Sequence, residues 1–440
     1  MKLKFVSVTL FSCVIGFLSL NAQTDTLKLS LQEVFSLADK NNKDLKILSS
    51  QLENSAEDLR ASKRQLLPEI SAKASVSFLS DGLISDRDFT GFQTVDIPHF
   101  GNSFSLQVGQ MIYSGGALSS AVNMSELGRE ISLTSFDKAK SSIRFLVAGY
   151  YLDIFTIDNR IKIYEKNISL TDELIKQTKA RQTQGDALEN DVLRYELQKA
   201  DYELALQRLE SNRRILNNKL NIAVGLKENS FIETDSSFFL MSEGIKDVSF
   251  YQNEAKTSAF ANRLAQSEYL LAQEEMKISQ SADLPKVYAF AQGTFDGPIT
   301  MEIPAIDKNF AYWFAGVGIS YDISQIYRNK PKKQMAKNKL YRQQINKQQT
   351  EENINAAVTE EYIRYTQSLR EVSVLEKRVA LSEKNYRTVL VRYNNGLALV
   401  TDMLDAANNL LSAELEQTNA KVNVLFSYFR LLCTCGEILD

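Results

Sequence analysis

The sequence has very few of the residues from which catalytic centres and metal sites are usually built. Its 440 residues include one histidine, one tryptophan and three cysteines. The histidine, His99, follows Pro98, and we find no histidine–carboxylate cluster, serine nucleophile motif or phosphate-binding glycine loop. Because such groups carry most acid–base and nucleophilic chemistry, we expect no catalytic residue, no cofactor and no metal ligand, and we expect that the chain is not an enzyme.

The cysteines predict neither a disulfide nor a zinc site. Cys433 and Cys435 are separated by one residue, which suits disulfide geometry poorly, and two sulfurs alone do not complete a zinc site. We interpret them as small buried residues near a helix end. Cys13 lies in the apolar stretch at the start of the chain, where lipidation is the alternative to a simple signal segment.

Long apolar runs are missing after residue 22. No later window reaches the ~18 uncharged apolar residues of a transmembrane helix, so an exported chain located in a membrane would have to span it as a β-barrel. Residues 1–22 resemble a secretory signal peptide, with Lys2 and Lys4 before an apolar run that ends in Leu20-Asn21-Ala22. The remaining chain has an excess of acidic residues, which argues against a nucleic-acid partner.

Proline is also scarce, and its six positions divide the chain. They are residues 68, 98, 285, 298, 304 and 331. Because proline breaks helix interiors, the proline-free tracts can hold long helices. Apolar steps of three and four residues predict helices over the ranges 31–66, 118–183, 192–224, 253–282, 332–394 and 403–433. Helices of this length with mixed surfaces need coiled-coil partners.

The proline-bearing zones alternate with a period of two, which predicts two strands in each zone. The apolar positions are residues 70, 72, 74, 76 and 78, then 104, 106, 108 and 112, then 287, 289, 291 and 295, and finally 310, 312 and 314. A loop over residues 80–102 separates the first two strands. The aromatic residues of the second zone suit a membrane interface: Tyr288, Phe290, Phe310, Tyr312 and Trp313. The alternative, two hairpins of a soluble sandwich, would need more than four strands.

One short stretch occurs twice in the chain. Residues 180–193 (ARQTQGDALENDVL) and 391–404 (VRYNNGLALVTDML) align at one constant offset. The alignment pairs Arg181 with Arg392, Gly185 with Gly396 and Asp191 with Asp402. Since glycine can take the left-handed conformation that ends a helix, each stretch predicts a helix, a turn and a second helix. We interpret the chain as an internal duplication.

The order helix, strand, loop, strand, long helix, turn and helix, repeated once, resembles the TolC outer-membrane channel family. The resemblance covers essentially the whole chain after residue 22. It is carried by Leu67-Pro68-Glu69-Ile70, by Tyr113-Ser114-Gly115-Gly116 and by the two glycine turns. Tyr321-Asp322-Ile323-Ser324 departs from the pattern, because the double glycine is missing at the second strand-to-helix corner.

The resemblance implies a mostly α-helical chain with a small β part. It implies a TolC-like trimer in which long antiparallel coiled-coil helices form a periplasmic tunnel and four strands per chain build a shared 12-stranded outer-membrane β-barrel. We expect the protein in the cell outer membrane, with a long periplasmic extension. The expected divisions are a signal peptide (1–22), a first repeat (23–225; strands about 69–79 and 103–113, tip turn about 181–191), a connector (226–250) and a second repeat (251–440; strands about 286–296 and 309–321, tip turn about 392–402).

The resemblance also assigns a periplasmic gate to the second turn. Asp402 and Asp405 match the acidic pair that lines the narrow entrance in the family, and a spacing of three places both carboxylates on one helix face. Three chains would stack two rings of carboxylates, which form a cation-favouring constriction. The alternative for Asp402, and equally for Asp191, is an acidic residue that stabilises a helix N-terminus.

A latch that holds the family's entrance closed is matched in part. Tyr393 and Asp191 match its tyrosine and its aspartate, and both are candidate latch residues here. The arginine of that latch corresponds to Ala398, so the charge-assisted latch is missing in that form. Arg392, beside Tyr393, is an alternative donor.

The function implied by the resemblance is a passive exit duct of a tripartite efflux pump or a type I secretion system. Its partners would be two further copies of the chain, a periplasmic adaptor (membrane fusion) protein, an inner-membrane transporter and outer-membrane lipid. The adaptor would dock at the tip turns, near Arg181, Gly185, Arg392 and Gly396. A periplasmic coiled-coil scaffold without a channel is the alternative. The sequence leaves open whether the cargo is a drug, a metal ion or a protein.

Overall fold

The computed structural model describes residues 26–236 and 245–439 of the chain. The expected signal peptide, Cys13 and part of the expected connector lie outside the described residues. Within the part described, no helix is both long enough and apolar enough to cross a membrane.

Each half of the chain places two helices before a pair of long strands and two long helices after it. The elements of the first half are β1 (Thr26–Leu29), α1 (Leu31–Asn41), α2 (Lys43–Arg64), β2 (Glu69–Phe78), β3 (Gly82–Ile84), β4 (Gln93–Val95), β5 (Phe100–Tyr113), α3 (Ala117–Thr183), α4 (Glu189–Val224) and β6 (Phe231–Thr234). Those of the second half are α5 (Val248–Ser258), α6 (Phe260–Ser281), β7 (Lys286–Gly297), β8 (Phe310–Ser320), α7 (Gln325–Arg328), α8 (Lys330–Asn394) and α9 (Val400–Cys435).

Two very long helices determine the length of the molecule. α3 has 67 residues and α8 has 65, which corresponds to about 100 Å each at a rise of 1.5 Å per residue. α4 folds back along α3, and α9 folds back along α8. Next to the sheet, the helices follow the order α2, α3, α6, α8. This order repeats the order of the strands to which they connect.

The main hydrophobic core lies where α1, α3, α4 and α9 meet. Val147, Tyr151 and Ile154 of α3 are fully buried there, together with Leu31 and Leu220. A buried hydroxyl needs partners, and that of Tyr151 contacts the carbonyl of Leu29 (2.8 Å) and the N–H of Asp235 (2.8 Å). Through Tyr151, the core therefore holds the end of β1 and the residue that follows β6.

The helix predicted over residues 31–66 is interrupted, and the sequence prediction is wrong at this point. α1 ends at Asn41 and α2 begins at Lys43, because Asn42 has an extended backbone and accepts hydrogen bonds from the N–H groups of Asp44 (2.9 Å) and Leu45 (3.3 Å). The amide of Asn42 also donates to the carbonyl of Ala223 (3.0 Å). This bond holds the junction of α1 and α2 against the end of α4. The second half has the same break at Ala259.

A parallel pair of short strands, β1 and β6, is not predicted by the sequence pattern. β6 lies in the segment expected to be a connector, residues 226–250. The buried guanidinium of Arg213 organises this region. It donates to Asp158 (3.0 Å) and Asn217 (3.0 Å) and lies 3.7 Å from the centre of the Phe231 ring. These contacts offset the cost of removing a charge from water.

The four predicted long strands form one antiparallel sheet in the order β2-β5-β7-β8. The register places predicted apolar positions side by side, with Ala72 opposite Leu106 and Val108 opposite Ala291. At the end of β5 a bulge shifts the register, so that Tyr113 rather than Ile112 lies opposite Val287. Inside the predicted loop 80–102, β3 and β4 form a small hairpin.

The two faces of this sheet differ in chemistry. We call the first the apolar face, because its three central rows are entirely apolar: Ala74, Phe104, Phe295 and Ala311; Ala72, Leu106, Gly293 and Trp313; Ile70, Val108, Ala291 and Ala315. We call the second the polar face, because it carries most of the polar side chains: Ser71, Lys73, Ser75, Ser103, Ser105, Gln107, Gln292, Thr294 and Asp296.

The five aromatic residues that the sequence analysis assigns to a membrane interface do not share one face of the sheet. Trp313 lies on the apolar face, but the other four lie on the polar face, as does Phe314: Tyr288, Phe290, Phe310 and Tyr312. The sequence of β8 has no charged or amide side chain that could distinguish its two faces. Only the register with β7 assigns them.

Two different devices turn the chain from strand to helix. After β5, Gly115 (φ 65°) and Gly116 (φ 88°) adopt the left-handed conformation, which only glycine takes at little cost. After β8, where the double glycine is missing, Asn329 is buried and its amide donates to Ser279 (2.6 Å) and Asp283 (2.8 Å). The second corner is therefore held by side-chain hydrogen bonds to α6 and to the residues that follow it.

Candidate gate at the helical tip

The two glycine turns lie at the far end of the long helices and have the same local structure. Gly185 has φ 85° and Gly396 has φ 70°. The N–H of Asp186 donates to the carbonyl of Arg181 (2.9 Å), and that of Leu397 donates to the carbonyl of Arg392 (2.8 Å). These bonds satisfy carbonyls at the helix end and reverse the chain, as glycine C-caps do.

The aspartates after the turns cap the helices that follow. The carboxylate of Asp191 accepts from the N–H of Leu188 (3.1 Å), and that of Asp402 accepts from the N–H of Leu399 (2.9 Å). Each acid also lies in the first turn of its helix, where a negative charge is favoured by the helix dipole. Both aspartates thus have the capping contact that the alternative interpretation predicts.

Asp402 and Asp405 remain exposed on α9, while Met403 and Ala406 between and beside them are buried. Asp405 accepts a hydrogen bond from the amide of Asn409 (3.1 Å). Within the described residues, neither carboxylate forms an ion pair. Both acidic side chains are therefore free to face a partner outside the protomer.

Tyr393 is buried at the centre of the tip, with an exposed fraction of 5%. Its hydroxyl lies 3.0 Å from that of Thr178, which already donates to the carbonyl of Leu174 (2.8 Å). Tyr393 is therefore the donor of this pair. The ring of Tyr195 meets that of Tyr393 edge-on at 6.3 Å.

The guanidinium of Arg181, in the first repeat, contacts Tyr393, in the second repeat. It lies 5.3 Å from the centre of the Tyr393 ring and donates to the Tyr393 carbonyl (3.4 Å). Arg392, at the equivalent position of the second repeat, instead donates to the carbonyl of Leu397 in its own turn (3.4 Å). The two arginines therefore differ, and only Arg181 connects one turn to the other.

The two residues expected to form a latch have different partners here. Asp191 bonds its own helix start, and Tyr393 bonds Thr178 and contacts Arg181. Sequence reasoning missed Thr178 and Arg181 as partners of Tyr393. The repeat alignment singled out Arg181 and Arg392 as a pair, but it carries no signal for which of them reaches across.

Burial disfavours ionisation of three tyrosines near the tip, Tyr195, Tyr202 and Tyr386. It raises the pKa of Tyr195 and of Tyr386, and it raises that of Tyr202 to about 12. The Tyr202 hydroxyl also donates to Asn408 (3.0 Å). At neutral pH these three tyrosines therefore add no charge to the tip.

The described residues include no group of three or more histidine, cysteine or acidic residues placed to hold a metal ion. Cys433 and Cys435 are unpaired thiols at the end of α9. Burial raises the pKa of Cys433 to about 11 and that of Cys435 to about 12, which keeps both protonated at neutral pH.

The sequence of this chain matches the model of a known protein family. The family model described as outer membrane efflux protein matches residues 34–226 and 253–436. The chain belongs to the outer membrane efflux protein family. The two matched segments each contain one set of introducing helices, long strands and tip turn, and all four candidate residues at the second turn fall inside the second segment: Arg392, Tyr393, Asp402 and Asp405.

Solved structures of outer-membrane channels have the same fold as this family member. CusC superimposes with a TM-score of 0.80 at 13% identity, and the match covers 94% of this chain and 93% of the CusC chain. VceC from Vibrio cholerae superimposes with a TM-score of 0.78 at 14% identity, and the match covers 92% of this chain and 96% of the VceC chain. The outer-membrane channel OprN superimposes with a TM-score of 0.77 at 16% identity, and the match covers 92% of this chain and 89% of the OprN chain. At this identity the likeness concerns the fold, which is TolC-like. A search of the curated proteins finds no match.

Proposed function

We propose that three copies of this chain form the exit duct of a tripartite efflux pump or a type I secretion system in the outer membrane. Each copy contributes four strands to a closed 12-stranded barrel and its long helices to a periplasmic tunnel. A periplasmic adaptor and an inner-membrane transporter deliver the cargo. The duct itself performs no chemistry and conducts passively.

The observation that carries the proposal is a sheet with one apolar face and one polar face. On the apolar face, the exposed fractions of Phe78 and Trp313 both reach 80%. An apolar surface of this extent is unfavourable in water and suits lipid contact. On the polar face, Lys73 and Asp296 require water. A sheet of this kind therefore fits the wall between lipid and an aqueous lumen.

The open edges of the sheet support self-association. Among the described residues, β2 and β8 each have only one neighbour in the sheet, so each leaves backbone groups unpaired. Such groups cannot remain unsatisfied in lipid. Pairing β8 of one copy with β2 of the next satisfies both edges, and twelve strands from three copies close the barrel.

Exposed apolar residues on the long helices support the same assembly. α4 and α8 expose large apolar side chains along much of their length: Leu193, Leu197, Leu204, Ile215, Ile222, Met335, Tyr341, Ile363, Val374, Leu381 and Val391. Helices with apolar residues on several sides are stable when neighbouring helices cover them. Neighbouring copies supply those helices in a tunnel.

For the gate, we propose that Asp402 and Asp405 of three copies form two stacked rings of carboxylates. The carboxylate of Asp402 accepts a hydrogen bond from the N–H of Leu399 at the start of its own helix, yet the side chain remains exposed. Capping therefore does not prevent Asp402 from attracting cations. For the closed state, we propose that the contact of Arg181 with Tyr393 takes the place of the family's latch.

Adaptor docking at the tip turns is supported by their exposed leucines. Three leucines lie around the turns at Gly185 and Gly396, and each exposes about 70% of its surface: Leu188, Leu397 and Leu399. Apolar side chains next to arginines such as Arg392 are typical of protein interfaces. The periplasmic scaffold is the weaker alternative, because it gives the apolar face of the sheet no partner.

Bilayer conductance of the purified trimer tests the gate and the duct together. We expect cation-selective steps in the wild type that millimolar trivalent cation on the periplasmic side blocks. The variant Asp402→Asn/Asp405→Asn should conduct without this block, because three copies lose six carboxylates. Asp191→Asn is the matched control, since it alters the equivalent cap of the first repeat and should leave the block unchanged.

The outcomes separate the parts of the proposal. Conductance that the Asp402→Asn/Asp405→Asn variant leaves fully sensitive to the trivalent cation would contradict the carboxylate gate but keep the duct. A correctly assembled trimer without any conductance would contradict the duct and favour the scaffold.

A further inference from the structure

A continuous row of aromatic rings crosses the polar face of the sheet. We call Tyr288, Phe290, Phe314, Tyr312 and Phe310 the aromatic ladder. Successive ring centroids along it are 5.9, 6.1, 6.3 and 5.3 Å apart. These separations lie within the range at which aromatic rings attract one another, so the five rings form one connected surface on β7 and β8.

Two glycines of β8 make room for the ladder. Gly316 lies opposite Phe290 and Gly318 lies opposite Tyr288. A Cβ atom at Gly316 would be 2.9 Å from the Phe290 ring, which is closer than carbon atoms can pack. The glycines therefore let the rings of β7 extend over β8 and join those of Phe314 and Tyr312.

The rings of the ladder are accessible from the polar side. Tyr288 and the three rings of β8 keep between 37% and 54% of their surface exposed. A cavity of about 470 Å³ lies at the end of the ladder formed by Tyr288, Phe290 and Phe314. The amides of Gln107 and Gln292, which bond each other at 3.0 Å, line the same cavity. The cavity therefore offers flat ring surfaces next to polar amide groups.

The rings of the ladder lie on the polar face of the sheet, not on its apolar face. Trp313 lies on the apolar face, where an aromatic residue can contact lipid. The ladder lies on the face of Lys73 and Asp296, which lipid cannot cover. In a duct that passes only small hydrated ions, a row of half-exposed aromatic rings would have nothing to contact.

We propose that the aromatic ladder is a contact track for cargo that carries a flat aromatic group. The proposal rests on the proposed duct, in which the polar face lines the lumen. Offset stacking on Phe290, Phe314 and Tyr312 would hold such a group briefly and pass it from ring to ring along the strands. Three copies would place three tracks around the lumen.

Two organic monocations of similar size test this track in the wild type. Benzylammonium carries a flat aromatic ring, while cyclohexylmethylammonium carries a saturated ring of the same carbon count. In planar bilayers that contain the full-length trimer, each should block the current transiently. We expect the blockade by benzylammonium to last about fivefold longer, the difference that one aromatic stacking contact supports.

Three variants assign the preference to the ladder. Phe290→Leu/Phe314→Leu keeps apolar side chains at both positions but removes two of the rings, and it should strongly reduce the fivefold difference between the two blockade times. Trp313→Leu is the matched control, because it removes an aromatic residue of the same strand from the opposite face, and it should keep the fivefold difference. Tyr312→Leu alone removes one ring and serves if the double variant does not assemble; it should reduce the difference.

The outcomes are distinct from those of the proposed function. Potassium conductance with equal blockade times for the two probes in the wild type would overturn the track and leave the duct intact. An equal loss of the preference in Trp313→Leu and in the ladder variants would also overturn it. A trimer that does not conduct potassium would overturn the duct, and the track with it.

Discussion

Arg181 and Arg392 show how a duplicated residue acquires two different roles. Each lies in the last turn of a long helix, α3 or α8, and precedes the same kind of turn. Arg181 nevertheless lies over the ring of Tyr393, while Arg392 bonds its own turn. The difference arises because Tyr393 occurs only in the second repeat, where it is buried against Thr178. At the residue scale, the tip is therefore asymmetric between the repeats.

Replacing Arg181 should loosen the tip more than replacing Arg392. Arg181→Gln removes a guanidinium–ring contact worth about 1 kcal/mol, so we expect the channel's open probability to rise about fivefold. Single-channel recording at fixed voltage measures this. Arg392→Gln is the control and should change the open probability little. Equal increases in both variants would contradict a specific role for Arg181.

The corners between strand and helix decide how the sheet joins the helices. At the first corner, Gly115 has φ 65°, and a Cβ there would lie 3.0 Å from both the side chain of Leu284 and the carbonyl of Ser281. At the second corner, Asn329 makes equivalent contacts with its side chain. At the scale of elements, two unrelated local solutions therefore produce the same change of direction.

A methyl group at the first corner should destabilise the protein. Gly115→Ala imposes left-handed backbone strain of about 1–2 kcal/mol and forces the corner away from Leu284, so we expect a lower midpoint of thermal unfolding and less assembled trimer. Gly128→Ala is the matched control, because it lies inside α3 with open space around it. Helix propensity predicts that it leaves the midpoint equal or raises it. A Gly115→Ala midpoint equal to the wild type would contradict the strain argument.

At the scale of the whole molecule, the sheet and the helical wall continue into each other. The strand order β2-β5-β7-β8 and the helix order α2, α3, α6, α8 run in parallel. A wall of this kind has an inner and an outer side along its whole length. Its function in a membrane depends on which side of each strand faces lipid.

Lysine substitutions on neighbouring residues of β2 should distinguish the two sides. Ala74 lies on the apolar face and Ser75 on the polar face. Ala74→Lys places a charge in lipid at a cost of about 2–4 kcal/mol near the bilayer midplane, so we expect a strong loss of trimer from the outer-membrane fraction. Ser75→Lys should insert normally, since Lys73 already lies on that face. Membrane fractionation followed by a trimer assay measures both, and the reverse ranking would contradict the assigned faces.

The sequence by itself was sufficient for the types of the long elements and for the duplication. The period of two over residues 70–78 and the proline-free helical tracts act locally, because a strand or a helix is specified by which side chains recur on one face. The glycine turns at Gly185 and Gly396 were predictable for the same reason. The four long strands were therefore predicted from the pattern, while the TolC-like fold was predicted from the resemblance to that family.

The tertiary structure alone decided the features that depend on contacts between distant segments. The amide of Asn42 bonds the carbonyl of Ala223 in a distant helix, and β6 pairs with β1, which lies about 200 residues earlier in the chain. The faces of β8 were decided by its register with β7, since both faces of this strand read as apolar in the sequence. The partner of Tyr393 was likewise decided by packing, because Arg181 and Arg392 are equivalent in sequence and only their surroundings in the folded chain differ.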